Sequence, residues 1–394
     1  MGALMKTIDD NNLGIQWPPR MNEVPKDIFY RPDVYRAELE RIFRGREWHP
    51  VTHRAEVPAP GDFKATYIGE SPILVVHGED GKIRVFENAC SHRGTQIQTC
   101  SRGHAEKLEC PYHRWTFSTT GELLGCPGRS DFPEGFVPEQ HGLTELRSES
   151  YCNLVFATYS ASTPNLDEYL GETKDYISRV LGNDGNLKLL GYQKVNVASN
   201  WKAYADNEGY HAPLLHTAFR LLQWKGGSGS QIMTKHAHKA INVNLSVPKK
   251  GFLNDHSLVE ARDESIPPQS IIVSLFPNAI VIRHLDVINV RYAFPKSPDE
   301  TEVHYAYFSH QSDGEALETH RSRQAANLLG PSGLISLEDG AVFNRLHVGA
   351  HTTGNVGFQK GVTAEFDPNQ TSFKHNDEAG NLIRWNRYRE SMGF

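Results

Sequence analysis

Two short segments, Cys90-Ser91-His92 and Cys110-Pro111-Tyr112-His113, are the most informative part of this sequence. Each places a cysteine close to a histidine, and 17 residues separate one segment from the other. A fold that brings the segments together surrounds one point with two thiolates and two imidazoles, which are ligands for transition metals. We therefore predict a metal centre bound by these two cysteines and two histidines.

The order of the ligands separates two kinds of metal centre. A zinc site with two cysteines and two histidines usually takes both cysteines from one segment and both histidines from the other. Here each segment is mixed. Two cysteines on one iron and two histidines on the other is the ligand set of a Rieske [2Fe–2S] cluster. We therefore predict that Cys90, His92, Cys110 and His113 bind such a cluster, which makes the chain an electron carrier at least.

The remaining cysteines and the cluster loops indicate the type of cluster. In respiratory Rieske proteins a further disulfide joins the two loops, and Thr95 and Tyr112 occupy the positions of its cysteines here. Without that disulfide the cluster resembles the low-potential type that supplies oxygenases. The other cysteines are expected to be free thiols, as is usual in the cytoplasm. They are Cys100, Cys126 and Cys152.

Length and composition limit the class of protein. A chain of 394 residues exceeds what one core usually holds, so we expect two domains, and 38% hydrophobic residues are enough to bury both cores. The net charge of -6 and the absence of a Lys/Arg run argue against a nucleic-acid or anionic membrane surface. The sequence has neither a long apolar stretch nor the apolar core of a secretory signal, so we expect a cytoplasmic protein with no membrane partner.

The spacing of apolar residues places a small β domain around the Cys/His segments. Residues 31–46 are typical of an amphipathic helix. Alternating apolar residues between 65 and 90, with a turn at Glu79-Asp80-Gly81, predict strands that lead into the first loop. A strand at 152–160 completes this domain.

After a linker-like stretch at 160–169 the pattern becomes mixed. Several segments with alternating apolar residues between 239 and 310 predict an antiparallel sheet. A strand is predicted at 187–198, and helices are predicted at 166–182, from about Trp201, at 314–329 and at 332–348. The fold class is therefore α+β. We predict a helical segment at 1–44 that packs on the larger domain, an all-β domain at 45–157, and an α+β domain at 158–394 whose antiparallel sheet is covered by helices.

A second group of metal ligands lies in the larger domain, within residues 200–216. His211 and His216, with a carboxylate from elsewhere, are able to form a 2-His-1-carboxylate triad, which leaves iron positions open for dioxygen. A regular helix favours a spacing of four residues, whereas these histidines are five apart. We therefore expect a bulge or an interruption, for which Pro213 is a plausible cause.

Together, the Rieske ligands, N-W-K at 200–202 and E-x2-H-x4-H at 208–216 resemble the α subunits of Rieske non-haem iron oxygenases, the aromatic-ring-hydroxylating family. The resemblance covers nearly the whole chain, and it identifies 158–394 as the catalytic domain. In that family the third iron ligand is an aspartate late in the chain, often after a glutamate in a helix. By resemblance this is Asp339, whereas its neighbour Glu338 would point elsewhere.

The resemblance also implies an acidic residue that conducts electrons between subunits. By position it is Glu208, three residues before His211, and it would link His211 to His92 or His113 of a neighbouring subunit. This sequence is shorter than most relatives between Asn207 and that acid, which leaves Asp206 as a rival. A bridge of this kind implies a homotrimer assembled head to tail, with or without a small β subunit.

The family's cofactors and partners follow from the same resemblance. They are the [2Fe–2S] cluster, a mononuclear Fe(II) and dioxygen as co-substrate. No G-x-G-x-x-G fingerprint follows a strand, so NAD(P)H would act only through a separate reductase, with or without a ferredoxin. Whether one or two oxygen atoms enter the product stays open.

The expected substrate is a small aromatic compound. NWKAY…YHAPLLH is similar to relatives that act on carboxylated aromatics, and Arg283 or Arg291 is available to pair with a carboxylate. One alternative is oxidative demethylation of a quaternary ammonium compound held by an aromatic cage, and another is a pure Rieske electron carrier. Apolar residues near the histidines are candidates for the pocket wall: Tyr210, Leu214, Leu215, Phe219, Leu221, Leu222 and Trp224.

Overall fold

The computed structural model describes residues 13–207, 215–223, 226–249, 251, 253–363, 367 and 369–394. Within these ranges, none of the helices combines the length and the apolar character needed to cross a lipid bilayer. Short 3₁₀ helices cover Lys26–Phe29, Arg54–Glu56, Arg129–Asp131, Pro138–Gln140 and His256–Val259.

The N-terminal part contains strand β1 (Glu23–Pro25) and helix α1 (Pro32–Glu38). Proline suits the first helical position because its missing N–H has no partner there in any case. The predicted helix at 31–46 is confirmed, but Leu39–Arg46 continues α1 as a π-helix. Its inward side packs against Trp385, Tyr388 and Met392 near the C-terminus.

The small β domain is a seven-stranded sheet with a short three-stranded sheet beside it. Its strands are β2 (His49–His53), β3 (Asp62–Ile68), β4 (Ser71–His77), β5 (Ile83–Glu87), β6 (Arg102–His104), β7 (Leu108–Glu109), β8 (Thr116–Phe117), β9 (Leu123–Gly125), β10 (Glu145–Tyr151) and β11 (Leu154–Thr158). The order in the large sheet is β2-β11-β10-β5-β4-β3-β6, and the small sheet is β7-β8-β9. The two Cys/His loops follow β5 and β7, so the sheets fix where those loops meet.

The larger domain is built on an eight-stranded antiparallel sheet. Its strands are β12 (Leu187–Val197), β13 (Gly226–Met233), β14 (Lys239–Leu245), β15 (Gln269–Leu275), β16 (Ala279–His284), β17 (Val287–Ser297), β18 (Glu300–His310) and β20 (Ser372–Lys374), while β19 (Asn355–Gly357) pairs with β1. The sheet order is β12-β18-β17-β16-β15-β14-β13-β20. The predicted antiparallel sheet and the α+β class are confirmed.

Helices cover both faces of this sheet. They are α2 (Leu166–Leu170), α3 (Thr173–Val180), α4 (Trp201–Ala205), α5 (Thr217–Leu221), α6 (Glu315–Gln324), α7 (Ser336–Ala350) and α8 (Ala379–Met392). The single helix predicted at 166–182 is divided because Gly171, at φ 53°, ends α2 in a conformation that favours glycine. The helix predicted at 314–329 is α6 followed by a π-helical turn at Ala325–Leu329.

Alternation along β18 shows how the sheet divides two cores. Ala306 and Phe308 belong to the core beneath α2 and α3. Val303, Tyr305 and Tyr307 belong to the core on the other face, together with residues of α4 and α7. Successive strand residues point to opposite faces, so one strand contributes to both cores.

A buried carboxylate ties helix α4, which begins within N-W-K, to residues near both ends of the chain. Glu38, which is 0% exposed, accepts hydrogen bonds from Trp201 Nε1 at 2.8 Å, from Lys202 Nζ at 2.6 Å and from the Tyr388 hydroxyl. Asn200 caps α4 by accepting from the Lys202 N–H at 3.1 Å. The N-W-K motif thus fixes the start of the segment that carries the predicted iron histidines.

Candidate metal centres

The two Cys/His loops share one backbone conformation. The N–H of Cys90 donates to the Thr95 carbonyl at 2.8 Å, and the N–H of Cys110 donates to the Trp115 carbonyl at the same distance. The fourth residue after each cysteine has a positive φ, 71° at Gly94 and 58° at Arg114. The loops therefore present their cysteines at equivalent positions, whereas the histidines follow two residues later in the first loop and three residues later in the second.

The four predicted cluster ligands lie together. Cys90 and Cys110 are 3% and 2% exposed, and the rings of His92 and His113 are 4.8 Å apart. Burial raises the pKa of the Cys90 thiol, and the neighbouring Cys110 raises it further, whereas bound iron would favour the thiolate. In the described part of the chain no hydrogen-bond partner reaches the buried Nδ1 of His113, and a metal ion would satisfy it. These residues fit a [2Fe–2S] cluster.

A third loop, after β9, covers the cluster loops and was not anticipated from the sequence. Trp115 stacks on the His92 ring at 4.7 Å, and the rings of Phe136 and His141 lie about Trp115 at 6.0 Å each. Ser91 Oγ donates to the His141 carbonyl at 2.6 Å. The only available signal was the aromatic and proline content of 126–143.

The exposed edge of this centre is formed by histidine and tyrosine. His92 is exposed, and Tyr112, which stacks on His113 at 3.7 Å, is 56% exposed. All five cysteines are free, so no disulfide joins the loops, as predicted from Thr95 and Tyr112. The histidine side of the centre therefore faces the outside of the chain.

The second centre brings together His216, just before α5, and Asp339 in the first turn of α7. His216 Nε2 lies 3.7 Å from Asp339 Oδ1, and His216 is 1% exposed. Nitrogen and oxygen ligands of one ion lie at such separations, so the pair fits a mononuclear iron site. His211 lies outside the described residues, as do Glu208, Tyr210 and Leu214.

Glu338 also contacts His216, contrary to the expectation that it would point elsewhere. Its Oε2 lies 3.3 Å from His216 Nδ1 and accepts the Thr217 N–H at 2.8 Å. Asp339 therefore faces one ring nitrogen and Glu338 the other. A carboxylate behind a metal-binding histidine fixes the ring and its proton, a role that the sequence gave no reason to assign to Glu338.

Asp206, the rival bridge, is held by the C-terminal helix of its own chain. Its Oδ1 accepts from Asn381 Nδ2 at 3.0 Å, and the Asp206 carbonyl accepts from the same amide at 3.0 Å. Asn381 Oδ1 also accepts a hydrogen bond from the Lys239 ammonium group at 3.1 Å. This carboxylate thus has an evident part in positioning the end of α4 against α8.

A cavity of about 300 Å³ opens beside Asp339, between the sheet and α7. Its wall combines apolar and aromatic side chains with a few polar groups, among them Val197, Tyr204, Ile280, Arg291, Tyr305, Ser336, Asp339 and Phe343. This composition is typical of small-molecule sites. A second, more apolar cavity of about 430 Å³ shares Asn207, Asp339 and Phe343 with the first.

Four of the apolar residues expected in the pocket wall are described by the structure, and three of those four lie elsewhere. Phe219 and Leu222 are buried in the core of the sheet, and Leu221 is 49% exposed. Leu215 lines the larger cavity, whereas Trp224 falls outside the described residues. The described wall of the smaller cavity comes mainly from strands and from α7, with Tyr204 of α4, because the sheet side chains that point toward α7 enclose the space beside Asp339.

Two arginines were candidates for a substrate carboxylate, and the structure separates them. Arg283 donates to Asp263 Oδ2 at 2.8 Å within a buried ionic group. Arg291 lines the smaller cavity, where it donates to Asn289 Oδ1 at 2.9 Å, to the Leu329 carbonyl at 3.2 Å and to Ser336 Oγ at 3.3 Å. Within the described ranges no carboxylate forms an ion pair with Arg291.

The surroundings of Arg291 keep it charged. Burial lowers the pKa of this guanidinium, but the neighbouring tyrosines, Tyr305 first, raise it, and the net pKa lies above the usual value. Its central carbon lies 4.7 Å from the centre of the Tyr305 ring. A buried cation with only neutral hydrogen-bond partners is a natural site for a bound anion.

Comparison with known proteins agrees with this fold and with these centres. The Rieske [2Fe-2S] domain family matches residues 47–139, and the catalytic domain family of ring-hydroxylating α subunits matches residues 184–378. The chain therefore belongs to the α subunits of Rieske-type ring-hydroxylating oxygenases, which use a Rieske [2Fe–2S] cluster, a mononuclear iron and dioxygen.

Individual relatives are similar over most of the chain. The anthranilate 1,2-dioxygenase large subunit of Burkholderia cepacia is 36% identical over 81% of this chain and 81% of its own. The large oxygenase component of salicylate 5-hydroxylase from Ralstonia sp. is 32% identical over 83% of this chain and 85% of its own. Naphthalene 1,2-dioxygenase from Rhodococcus sp. bound to indole superposes with a TM-score of 0.82 at 26% identity, covering 94% of each chain.

Proposed function

We propose that this chain is the terminal oxygenase that hydroxylates a benzene ring bearing a carboxylate. In this proposal Cys90, His92, Cys110 and His113 hold the cluster, and His211, His216 and Asp339 hold the iron. When bound, these groups supply electrons and the site at which dioxygen is activated. The protein then has to orient the ring, exclude water and keep the iron histidines in the correct proton state.

The observation that carries the substrate class is Arg291. It is 7% exposed, it lines the cavity beside Asp339, and its described hydrogen-bond partners are neutral. Ser336, which accepts from Arg291, is one helical turn before Asp339, so the guanidinium and the iron ligand border the same space. A carboxylate bound by Arg291 would hold the ring against the Asp339 side of the cavity.

The relatives support this substrate class. Anthranilate and salicylate, which appear in the names of two enzymes that match more than four fifths of this chain, are both benzene rings with a carboxylate. A quaternary ammonium substrate is less compatible with the cavity, because Arg291 already occupies the face of the Tyr305 ring and would repel a cation. The match to the catalytic domain family disfavours a pure electron carrier.

The exposed histidine edge of the cluster loops supports electron transfer between chains. His92 and Tyr112 lie at the surface, so an electron partner has to approach from outside. We therefore propose the head-to-tail homotrimer, with Glu208 of one subunit placed against a cluster histidine of the next. Electrons would reach the cluster from a separate reductase, with or without a ferredoxin, and a small β subunit is compatible with this arrangement.

Exchange of Arg291 for glutamine tests the substrate class. Purified wild type and Arg291→Gln are assayed for hydroxylated product with a surrogate reductase, using benzoate, salicylate and anthranilate, and benzamide as the uncharged counterpart of benzoate. Loss of the charge-assisted hydrogen bonds should lower kcat/KM for the acids by between about tenfold and a hundredfold. Oxidation of benzamide, which lacks the charge, should change little.

Arg345→Gln is the matched control, because Arg345 is exposed on α7 and its exchange for glutamine removes the same charge. It should leave the preference for acids unchanged. Equal losses for benzoate and benzamide in Arg291→Gln would mean that Arg291 only supports the fold. Turnover of betaines in place of aromatic acids by the wild type would favour the demethylase alternative.

A further inference from the structure

A third group of metal ligands lies at the far end of α7, away from both centres. It consists of Asp299, in the turn between β17 and β18, with His347 of α7 and His351 just after its end. One ligand atom from each side chain lies within 4.8 Å of the other two. None of the three residues lines either cavity beside Asp339.

The backbone places both histidines on one side of the helix. His351 keeps helical backbone angles, φ -74° and ψ 0°, so the four-residue spacing of a helix extends through it. Two histidines with that spacing are the helical half of many zinc sites. Their rings lie 5.1 Å apart at 87°, which leaves room for an ion between their edges.

The hydrogen bond of His351 suits metal binding. His351 Nδ1 lies 3.1 Å from the His347 carbonyl, which only accepts, so Nδ1 carries the proton and Nε2 carries a lone pair. A backbone carbonyl that fixes the proton in this way is the usual support of a metal-binding histidine. The Tyr30 ring, stacked on His351 at 4.6 Å, holds its orientation.

His347 and Asp299 already form one edge of the site. His347 Nε2 lies 3.0 Å from Asp299 Oδ1, and His347 is 8% exposed. Two ligands of a tetrahedral zinc ion lie roughly 3.4 Å apart, so small side-chain movements bring the three atoms to bonding distance. Binding places the ion where the Nε2 proton of His347 lies, and a neutral His347 then carries its one proton on Nδ1 instead.

We propose that Asp299, His347 and His351 form a divalent transition-metal site, for which zinc is the preferred ion. Two imidazoles and one carboxylate are a common zinc set with a fourth position left for water. The bound ion joins the end of α7 to the β17–β18 turn. Because Asp339 lies on the same helix, the site steadies the element that carries the proposed iron ligand.

The same three groups also accept Fe(II), so a preparation made with excess iron would carry more than the three irons of the cluster and the mononuclear centre.

Metal analysis of the holoenzyme tests this site. Iron-loaded protein is dialysed against micromolar Zn²⁺, and zinc and iron are counted per chain in the wild type, His351→Ala and His347→Gln. We expect one zinc per wild-type chain with no loss of iron, and no such zinc in either variant. Zinc should also raise the Tm of the wild type but not that of His351→Ala, because it binds the folded state.

His256→Ala is the control, since His256 is exposed and lies outside the group. It should bind zinc as the wild type does. His351 is exposed, so His351→Ala should fold normally, which a Tm equal to that of the wild type without zinc would verify. Equal zinc binding by wild type and both variants, or zinc bound only as iron is lost, would overturn the proposal.

Discussion

The two centres of this chain are built in opposite ways. The cluster loops are close in sequence, and each is closed by its own backbone hydrogen bonds, from Cys90 to Thr95 and from Cys110 to Trp115. The proposed iron centre joins His216 to Asp339, which are far apart in sequence and meet because α7 packs on the sheet. Each loop of the first centre is a local structure that the sheets bring beside the other, whereas the second centre depends on packing across the larger domain.

This difference assigns different tasks to the two regions. Loops that fold on their own hydrogen bonds are able to hold the same cluster in many contexts. The assembled centre takes its neighbours from distant elements: Arg291 from β17, Tyr305 from β18 and Ser336 from α7. We therefore expect substrate preference to be set at the second centre, where changes in any of several elements alter the cavity wall.

The largest effects are expected from two variants, each of which removes one proposed ligand from one centre. Asp339→Ala should lose the mononuclear iron and reduce product formation to background, while the visible absorption of the cluster stays unchanged. His113→Ala should lose the visible absorption of the cluster and keep the mononuclear iron. It should also stop turnover. Iron analysis, absorption spectra and product assays measure these outcomes.

Glu315→Ala is the control for Asp339→Ala, because Glu315 is an exposed carboxylate at the start of α6. It should keep both metal centres and full activity. If Asp339→Ala retained its mononuclear iron and its activity, Asp339 would not be the ligand, and the two centres would no longer be separable in this way.

The next effect concerns Glu208, the residue proposed to connect the centres. Glu208→Gln should keep the cluster and the iron but slow cluster oxidation by dioxygen and substrate by about a hundredfold or more, about 2.7 kcal/mol in the barrier. Asp206→Asn should have a much smaller effect, because an amide oxygen is still able to accept from Asn381. Stopped-flow absorbance of the reduced cluster measures both rates. The opposite result would make Asp206 the bridge.

Sequence alone predicted the local features well. The helix at 31–46 and the antiparallel sheet each depend on spacing within a short stretch, and the structure has both in place. The four proposed cluster ligands depend on spacing in the same way, and the structure places them close together. The break at Gly171 and the π-helical turns were not foreseen. Each is a local departure that apolar periodicity does not register.

The surroundings of the iron centre were harder to predict, for a physical reason. Nothing near Glu338 in sequence indicates that it would lie against His216, or that Arg291 would face the cavity while Arg283 pairs with Asp263. Phe219 and Leu222 are apolar and close to His216 in sequence, yet they point into the core. Which side of an element faces the cavity is decided by packing across the domain.

A smaller effect is expected from the carboxylate behind His216. Glu338→Gln keeps an oxygen that is able to accept the Thr217 N–H but removes the negative charge 3.3 Å from His216 Nδ1. Iron affinity should fall by about tenfold to a hundredfold, the usual cost of losing such a partner. Iron retention during dialysis against increasing chelator measures it, and the cluster should be unaffected.

Glu318→Gln is the control for Glu338→Gln, since Glu318 pairs with Lys188 at 2.6 Å on α6, where no proposed metal ligand lies. It should hold iron as tightly as the wild type. A Glu338→Gln enzyme with unchanged iron affinity would show that Asp339 and the histidines suffice, and the assembled centre would then be as self-contained as the cluster loops.

The smallest effect is expected within the cluster loops themselves. Gly94 has φ 71°, and a Cβ placed there meets nothing within 4 Å. Gly94→Ala should therefore cost only the backbone strain of a left-handed residue, about 1 kcal/mol in the free energy of unfolding.

Arg114→Gly, at the equivalent position of the second loop, should raise the free energy of unfolding by a similar amount. The loss of the exposed ion pair between Arg114 and Glu109 reduces this gain. Denaturant unfolding measures both, and the cluster absorption should stay the same, because backbone hydrogen bonds hold each loop. Loss of the cluster in Gly94→Ala would mean that the loops lack the local stability that sets them apart from the iron centre.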